Sequence, residues 1–435
     1  MVPAAESMDL ENETTVPSRR LRVVVAVSHP IQHFCPLYRA LSQDNRASIT
    51  VLFESLKGAE PYWDPSFDQV IQWGTGITSG FEWQTLGRKD DRNGSSLSRR
   101  FAAIGSLLRK IKPDVVVVYS YTQVISVATA IYARLMGCPV VAITDSALLS
   151  HRSFARRLAK TIVVRLWLRL VDVLLTCGDE NERYYEHYGF PREQMVRCPF
   201  PIDEESFQAI APARSDCRRA IRDRLGIPEG AFVALTVGKL IPLKGHRDLV
   251  RAVAAASTGN PAVGPYLLLA GDGPDRTALE SLANELGLRE AVFAGFVNPS
   301  ELPLYYAASD VYVHPSLADA HPLAITEAMY SSLPLIASDR VGSVGDTDDL
   351  QPGRNGWVVP AEDCSFLAQL LRELVSQPQL LKDASLWSAQ IWRGRTMRAS
   401  VQGFLRGVYL AAGLRAPEPV GRIPSSSNLP TSRAI

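Results

Sequence analysis

Short apolar runs alternate with turns and helical stretches along this chain, and the runs lack a polar residue at every second position. Strands of that kind are buried on both faces, the pattern of a parallel sheet covered by helices. It occurs twice. In the first half the predicted strands are 22–27, 114–119, 139–144 and 171–177; in the second they are 232–237, 266–270, 292–295, 311–314, 333–337 and 357–359. Between the halves, 196–203 contains Pro199 and Pro201, which exclude a helix and suit an extended linker. The expected fold is α/β, with two Rossmann-like, doubly wound parallel-sheet domains over 21–205 and 206–390. Trp392, Met397, Val401, Phe404, Leu405 and Val408 lie on a helical period, predicting a helix over 391–414 that crosses back to the first domain. The polar ends, 1–20 and 415–435, are expected to be disordered.

Composition narrows this picture. The chain has 435 residues, 46% hydrophobic and 21% charged, enough for two cores. Its 46 Lys and Arg balance 45 Asp and Glu, giving net charge +1, so no global field attracts nucleic acid and any anion must be bound locally. The six cysteines include no C-x-x-C pair, which excludes a zinc ribbon and reads as reduced thiols. Glu6, Asp9, Glu11 and Glu13 occupy a start that a signal peptide would make basic and apolar. The apolar stretch 161–177 is broken by Arg165, Arg169 and Asp172, so it does not read as a membrane span. The expectation is a soluble, cytoplasmic protein.

Candidate chemistry begins where the strand 232–237 ends. Gly238 and Lys239 open a loop, Lys244 and Gly245 close it, and a helix is expected from His246. Two ammonium groups beside a helix N-terminus make a site for a diphosphate, although such a loop also occurs as plain solvated surface. After the strand 311–314, Asp319 sits in a loop and Glu327 eight positions on in a helix. One carboxylate can face a sugar while the other accepts hydrogen bonds from ribose hydroxyls.

These residues carry a resemblance. Gly238-Lys239 with Lys244-Gly245, Gly271-Asp-Gly-Pro-Asp275, Gly295-Phe-Val297, Pro315-Ser316 through Glu327-Ala-Met329, 333–339 and Gly353-Arg-Asn-Gly356 are similar, in order and spacing, to the donor domain of the retaining glycosyltransferases of family 4. That resemblance implies the GT-B fold and transfer of a sugar from a UDP- or GDP-sugar, without a metal, to a glycan, lipid-linked or small-molecule acceptor. It also implies Lys239 and Lys244 on the diphosphate, Asp319 by the donor sugar and Glu327 on the ribose, with Gly238, His321 and Leu323 completing the donor site. Two positions depart from the family pattern. Asp319 stands where Glu is usual, and His321-Pro322 replaces an aromatic-Gly pair, so Pro322 offers no amide and Leu323 is the next donor. Two alternatives share the fold: a nucleotide-sugar 2-epimerase, and a non-catalytic glycan- or partner-binding member.

In the first half, Ser28-His29-Pro30-Ile31-Gln32 follows the first strand and resembles a loop of one branch of the same family. His29 and His33 are four apart, but Pro30 intervenes and no Glu follows His29, so a loop facing the interdomain cleft, contacting donor phosphate or acceptor, fits better than a zinc pair, and the resemblance makes the first domain the acceptor domain. Asp145, after the strand 139–144, is a cleft carboxylate or a plain turn residue. Asp346-Thr-Asp348 resembles a metal-binding D-x-D, yet its surroundings fit a GT-B loop, and no metal site is expected. Over 152–169, basic residues alternate with Phe154, Leu158, Ile162, Val163, Leu166 and Trp167. This reads either as a core-packing helix with a cationic outer face or as a helix lying on the inner face of an anionic membrane.

Overall fold

A computed structural model describes residues 20–64, 69–71, 76–86, 97–148, 154–257 and 264–415. The expected disordered ends lie outside these residues except for Arg20 and Arg415, as does Arg152. The strands are β1 (Leu21–Val27), β2 (Ala47–Phe53), β3 (Tyr62–Asp64), β4 (Gln69–Ile71), β5 (Glu82–Thr85), β6 (Val115–Tyr119), β7 (Val140–Thr144), β8 (Val173–Thr176), β9 (Met195–Arg197), β10 (Val233–Val237), β11 (Tyr266–Ala270), β12 (Ala291–Gly295), β13 (Val311–His314), β14 (Leu335–Ser338) and β15 (Gly356–Val359). They form a first parallel sheet in the order β5-β2-β1-β6-β7-β8-β9, a second in the order β12-β11-β10-β13-β14-β15, and a small β3-β4 antiparallel pair. In each large sheet the order reverses beside the first strand, between β1 and β6 and between β10 and β13, and ligands of such folds bind outside the strand ends at that point. Among the described residues no helix is long and apolar enough to cross a membrane.

Several elements differ from the sequence expectation, β3, β4 and β5 being unexpected short strands, and three differences bear on the cores. β2 was not expected, because Ser48 and Thr50 interrupt its apolar run, yet it pairs with β1 at every position from Leu21↔Ala47 to Val27↔Phe53. The expected linker begins inside a strand: β9 hydrogen-bonds to the edge of the first sheet through Leu174↔Met195 to Thr176↔Arg197. The expected helix over 391–414 is two pieces, since Pro378–Trp392 ends, a turn follows, and Met397–Ala411 begins on the Thr396 side-chain cap.

The helix Met397–Ala411 packs on the first sheet. Phe404, Leu405, Val408 and Tyr409 enter the core that includes Val23, Val25 and Leu175. Burial of each such side chain contributes about 1.5–3 kcal/mol. The approach is close: a Cβ at Gly403 would lie 2.5 Å from the Arg197 carbonyl oxygen, so a larger residue would force the helix off the sheet.

A second contact joins the domains. The loop before Leu350 in the second domain reaches the start of the helix Asp179–His187 in the first. Asp348 accepts the Asp179 backbone N–H at 2.7 Å, and Asp179 in turn accepts the Thr347 N–H at 2.9 Å and Arg197 Nη2 at 2.7 Å. Arg395, in the turn between the last two helices, donates to the Cys177 carbonyl at 3.4 Å and to that of Thr347. Its Nε lies 3.5 Å from Asp349 Oδ1. Asp348 and Asp349 are 0% and 2% exposed, so their charges depend on these partners. Burial, then the charge of Asp349, pushes the Asp348 carboxyl up to about 6.

Arg395→Ala is expected to destabilise the chain by about 3 kcal/mol at about pH 8 in urea unfolding, because both carboxylates then lack their guanidinium. Below about pH 6 Asp348 carries a proton in the folded chain and the loss is expected to shrink.

Candidate functional site

The loop between β10 and the helix His246–Ser257 is shaped by contact with the segment after β13. Pro242–Lys244 forms a short 3-10 turn, and Gly245 follows with φ of 68°. A Cβ at Gly245 would lie 2.1 Å from the Pro315 carbonyl oxygen, so only glycine fits here. The Leu317 N–H donates to the Leu243 carbonyl at 2.8 Å. This pairing brings the two segments together and sets Lys244 against Asp319.

Asp319 is the hub. Its Oδ2 accepts from Lys244 Nζ, and from His314 Nε2 at 2.9 Å. His314 Nδ1 faces the Tyr312 hydroxyl at 3.0 Å. Burial lowers the His314 pKa against the pull of Asp319, which suits a neutral ring that donates from Nε2 and accepts at Nδ1. Burial alone would raise the Asp319 carboxyl. The His314 hydrogen bond and the Lys244 charge outweigh it and hold Asp319 at about 2.

Glu327 is the opposite case. Half-buried on the helix Leu323–Tyr330, it accepts from the Tyr306 hydroxyl at 2.7 Å. Burial, with the Asp203 charge adding to it, pushes its carboxyl up to about 7. The same helix begins at Leu323 with Pro322 as its cap, so its first amides are free of intrahelical partners.

The expected residues divide among two cavities and the Asp319 network, with His29 outside them. A cavity of about 190 Å³ gathers Gly238, Leu323, Glu327 and His33, with Asp203 and Gln32 beside them. A second of about 290 Å³ gathers Asp145, His321, Leu323 and His33. His321, expected in the donor site, therefore faces the first domain. It lies edge-on to Phe200 at 5.1 Å, and its Nδ1 is 2.8 Å from Ser343 Oγ. Lys244 belongs to the Asp319 network, and Lys239 opens the same loop. His29 lines neither of these cavities, and its Nδ1 is 2.9 Å from Ser28 Oγ. His33 tilts against Phe34 at 4.5 Å, and burial, then the charge of His321, pushes it down to about 3.

His321, Asp348 and Asp349 offer potential metal ligands within 4.8 Å of one another. Their atoms are already engaged: Thr326 Oγ1 donates to Asp349 at 2.6 Å, Asp348 holds the Asp179 N–H, and the Arg395 guanidinium supplies the positive charge. Sequence reasoning missed His314, Tyr306, Asp203, Phe200 and Arg395. His314 alone carried a signal, as the polar last residue of an otherwise apolar strand.

Two family models match. Residues 68–201 fit the glycosyl transferase 4-like domain, and 218–386 fit glycosyl transferases group 1, together well over half of the chain. The chain belongs to the glycosyltransferases. Among curated relatives, the D-inositol 3-phosphate glycosyltransferase of Streptomyces avermitilis is 28% identical over 48% of this chain and 45% of its own. The GDP-mannose-dependent alpha-(1-6)-phosphatidylinositol monomannoside mannosyltransferase of Mycobacterium tuberculosis is 29% identical over 52% of this chain and 59% of its own. The chain thus spans about half the length of these curated relatives. In structure it is similar to Anabaena Alr3699/HepE, solved with UDP and glucose, at a TM-score of 0.65, with 17% identity over 88% of this chain and 98% of that one. WaaG, a glycosyltransferase involved in lipopolysaccharide biosynthesis, matches at 0.59, with 18% identity over 90% and 98%. At these identities the likeness establishes the fold: two parallel-sheet Rossmann-like domains of the GT-B type.

Glu327 gives this glycosyltransferase a pH signature. Between 4.5 and about 7 the folded chain keeps a proton that the unfolded chain has released, so this group's contribution to stability falls as pH rises and levels off above about 7. Glu327→Gln is expected to raise the melting temperature at about pH 8 and to leave it nearly unchanged at about pH 4. Equal shifts at both would contradict the burial of this carboxyl.

Proposed function

We propose that the chain transfers a glycosyl group from a UDP- or GDP-sugar to a hydroxyl of a glycan, lipid-linked or small-molecule acceptor, with retention of anomeric configuration. The observation that carries this reading is the Lys244–Asp319–His314 network at the reversal point of the second sheet. As the bond to the diphosphate breaks, negative charge builds on the leaving group. Lys244, Lys239 and the first amides of the helix His246–Ser257 supply the opposing potential, and Lys244 is already oriented by Asp319. In this reading the lysines do what a divalent ion does elsewhere, and no metal takes part. Asp319, anionic at any working pH, contacts the donor sugar, and Glu327 accepts the ribose hydroxyls. UDP and GDP are the nucleotides to test first, since the Anabaena neighbour was solved with UDP and the Mycobacterium relative is GDP-mannose-dependent.

The helix Phe154–Leu168 supports a membrane-facing acceptor. Val164, Trp167 and Leu168 pack inward, whereas Leu158, Ile162, Val163 and Leu166 are 54%, 54%, 51% and 55% exposed. Leu158, Ile162 and Leu166 recur every fourth residue on one face, with Arg165 and Arg169 exposed beside them. An apolar face flanked by cations fits the surface of an anionic bilayer.

Lys244→Ala is expected to lower nucleotide release from the true donor about 100- to 1,000-fold, with the melting temperature nearly retained. Unchanged turnover would sink the assignment. In vesicle sedimentation the full chain is expected to bind phosphatidylglycerol-containing vesicles better than phosphatidylcholine alone, and Ile162→Asp with Leu166→Asp to weaken that binding about 10-fold or more. Equal binding by the double variant would remove the membrane contact and leave the transferase reading intact.

A further inference from the structure

The second cavity lies on the first-sheet side of the cleft and meets the donor cavity at His33 and Leu323, which line both. Its walls are of two kinds. Phe34, Tyr119 and Phe200 form an aromatic cluster, with Phe34 edge-on to Tyr119 at 4.9 Å and to Phe200 at 5.0 Å, a surface against which the C–H face of a sugar ring packs. The other wall accepts hydrogen bonds. Asp145 presents an exposed carboxylate at the end of β7, and the Gln123 amide oxygen is buried with no hydrogen-bond partner. A buried acceptor left unpaired costs free energy that a ligand's donor relieves. A carboxylate on the wall attracts an ammonium and repels a phosphate. His33, held neutral, adds no positive charge between the two cavities.

We infer that this cavity takes the acceptor as a hydroxylated ring bearing an ammonium group, with the ammonium against Asp145 and a hydroxyl donating to Gln123 Oε1. The inference rests on the glycosyltransferase reading, under which the cavity beside the donor site receives the acceptor. One face of the ring lies on the aromatic cluster while its edge reaches both acceptors.

Ligand-observed NMR on the full chain, with and without UDP or GDP, measures D-glucosamine, D-glucose and D-glucose 6-phosphate at about pH 6, where an amine is protonated. D-glucosamine is expected to bind about 5-fold tighter than D-glucose, and D-glucose 6-phosphate more weakly than either. Asp145→Asn, which keeps the side chain's shape, is expected to erase the glucosamine advantage, and Gln123→Ala to weaken both neutral and amino sugars. Circular dichroism melting of each variant separates these losses from unfolding. Three results would overturn the inference: glucose 6-phosphate binding as well as glucosamine, no binding of glucosamine, or a glucosamine preference that survives Asp145→Asn. If glucosamine binds through Asp145 while neither nucleotide raises the melting temperature, the cavity's chemistry stands and the transferase reading falls.

Discussion

Buried carboxylates at the junction of the two sheets govern how this molecule is assembled. A carboxylate removed from water is tolerated only when its oxygens find donors and its charge finds a cation, and Asp348 takes one of its donors, the Asp179 N–H, from across the domain junction. The Asp179 N–H, Thr326 and Arg395 come from three separate parts of the chain. A rotation of one domain would strip Asp348 of the Asp179 N–H and Asp179 of the Thr347 N–H, so the junction favours this arrangement. Because His321 lies beside the pair and edge-on to Phe200, the same junction shapes the wall of the cleft.

The strand ends of the second sheet repeat the principle with opposite outcomes. Asp319 and Glu327 are both partly shielded carboxylates, eight residues apart. Asp319 has a lysine and a histidine donor and stays ionised; Glu327 has one tyrosine hydroxyl and a neighbouring acid, and holds its proton to near neutrality. Two carboxylates in unlike surroundings take unlike states, one a permanent charge that orients Lys244, the other an acid that gives up its proton only near neutrality.

Much of this was legible in the residue order. The strands β10, β11 and β13 announce themselves because a strand buried on both faces must be apolar throughout, and Gly238, Lys244, Asp319 and Glu327 stand at spacings that only a loop and helix after such strands explain. β2 was hidden because its first half is exposed on alternate residues, which breaks the run that marks a buried strand. β9 was hidden by the prolines that follow it, although an edge strand of three residues ends before they begin. Arg395 carried no signal at all, since nothing local requires an arginine in that turn.

Patterning and motif spacing, which reflect interactions within one strand, helix or loop, therefore determined the two parallel-sheet domains, the family and the candidate donor residues. Tertiary structure alone decided which face of the helix Phe154–Leu168 meets water, that His321 looks toward the first domain, and that Asp145 and Gln123 share a cavity with an aromatic wall. Each of these depends on what a distant segment places opposite a side chain. Periodicity says that a helix has an apolar stripe, but only packing says whether Val164 and Trp167 or Ile162 and Leu166 are covered.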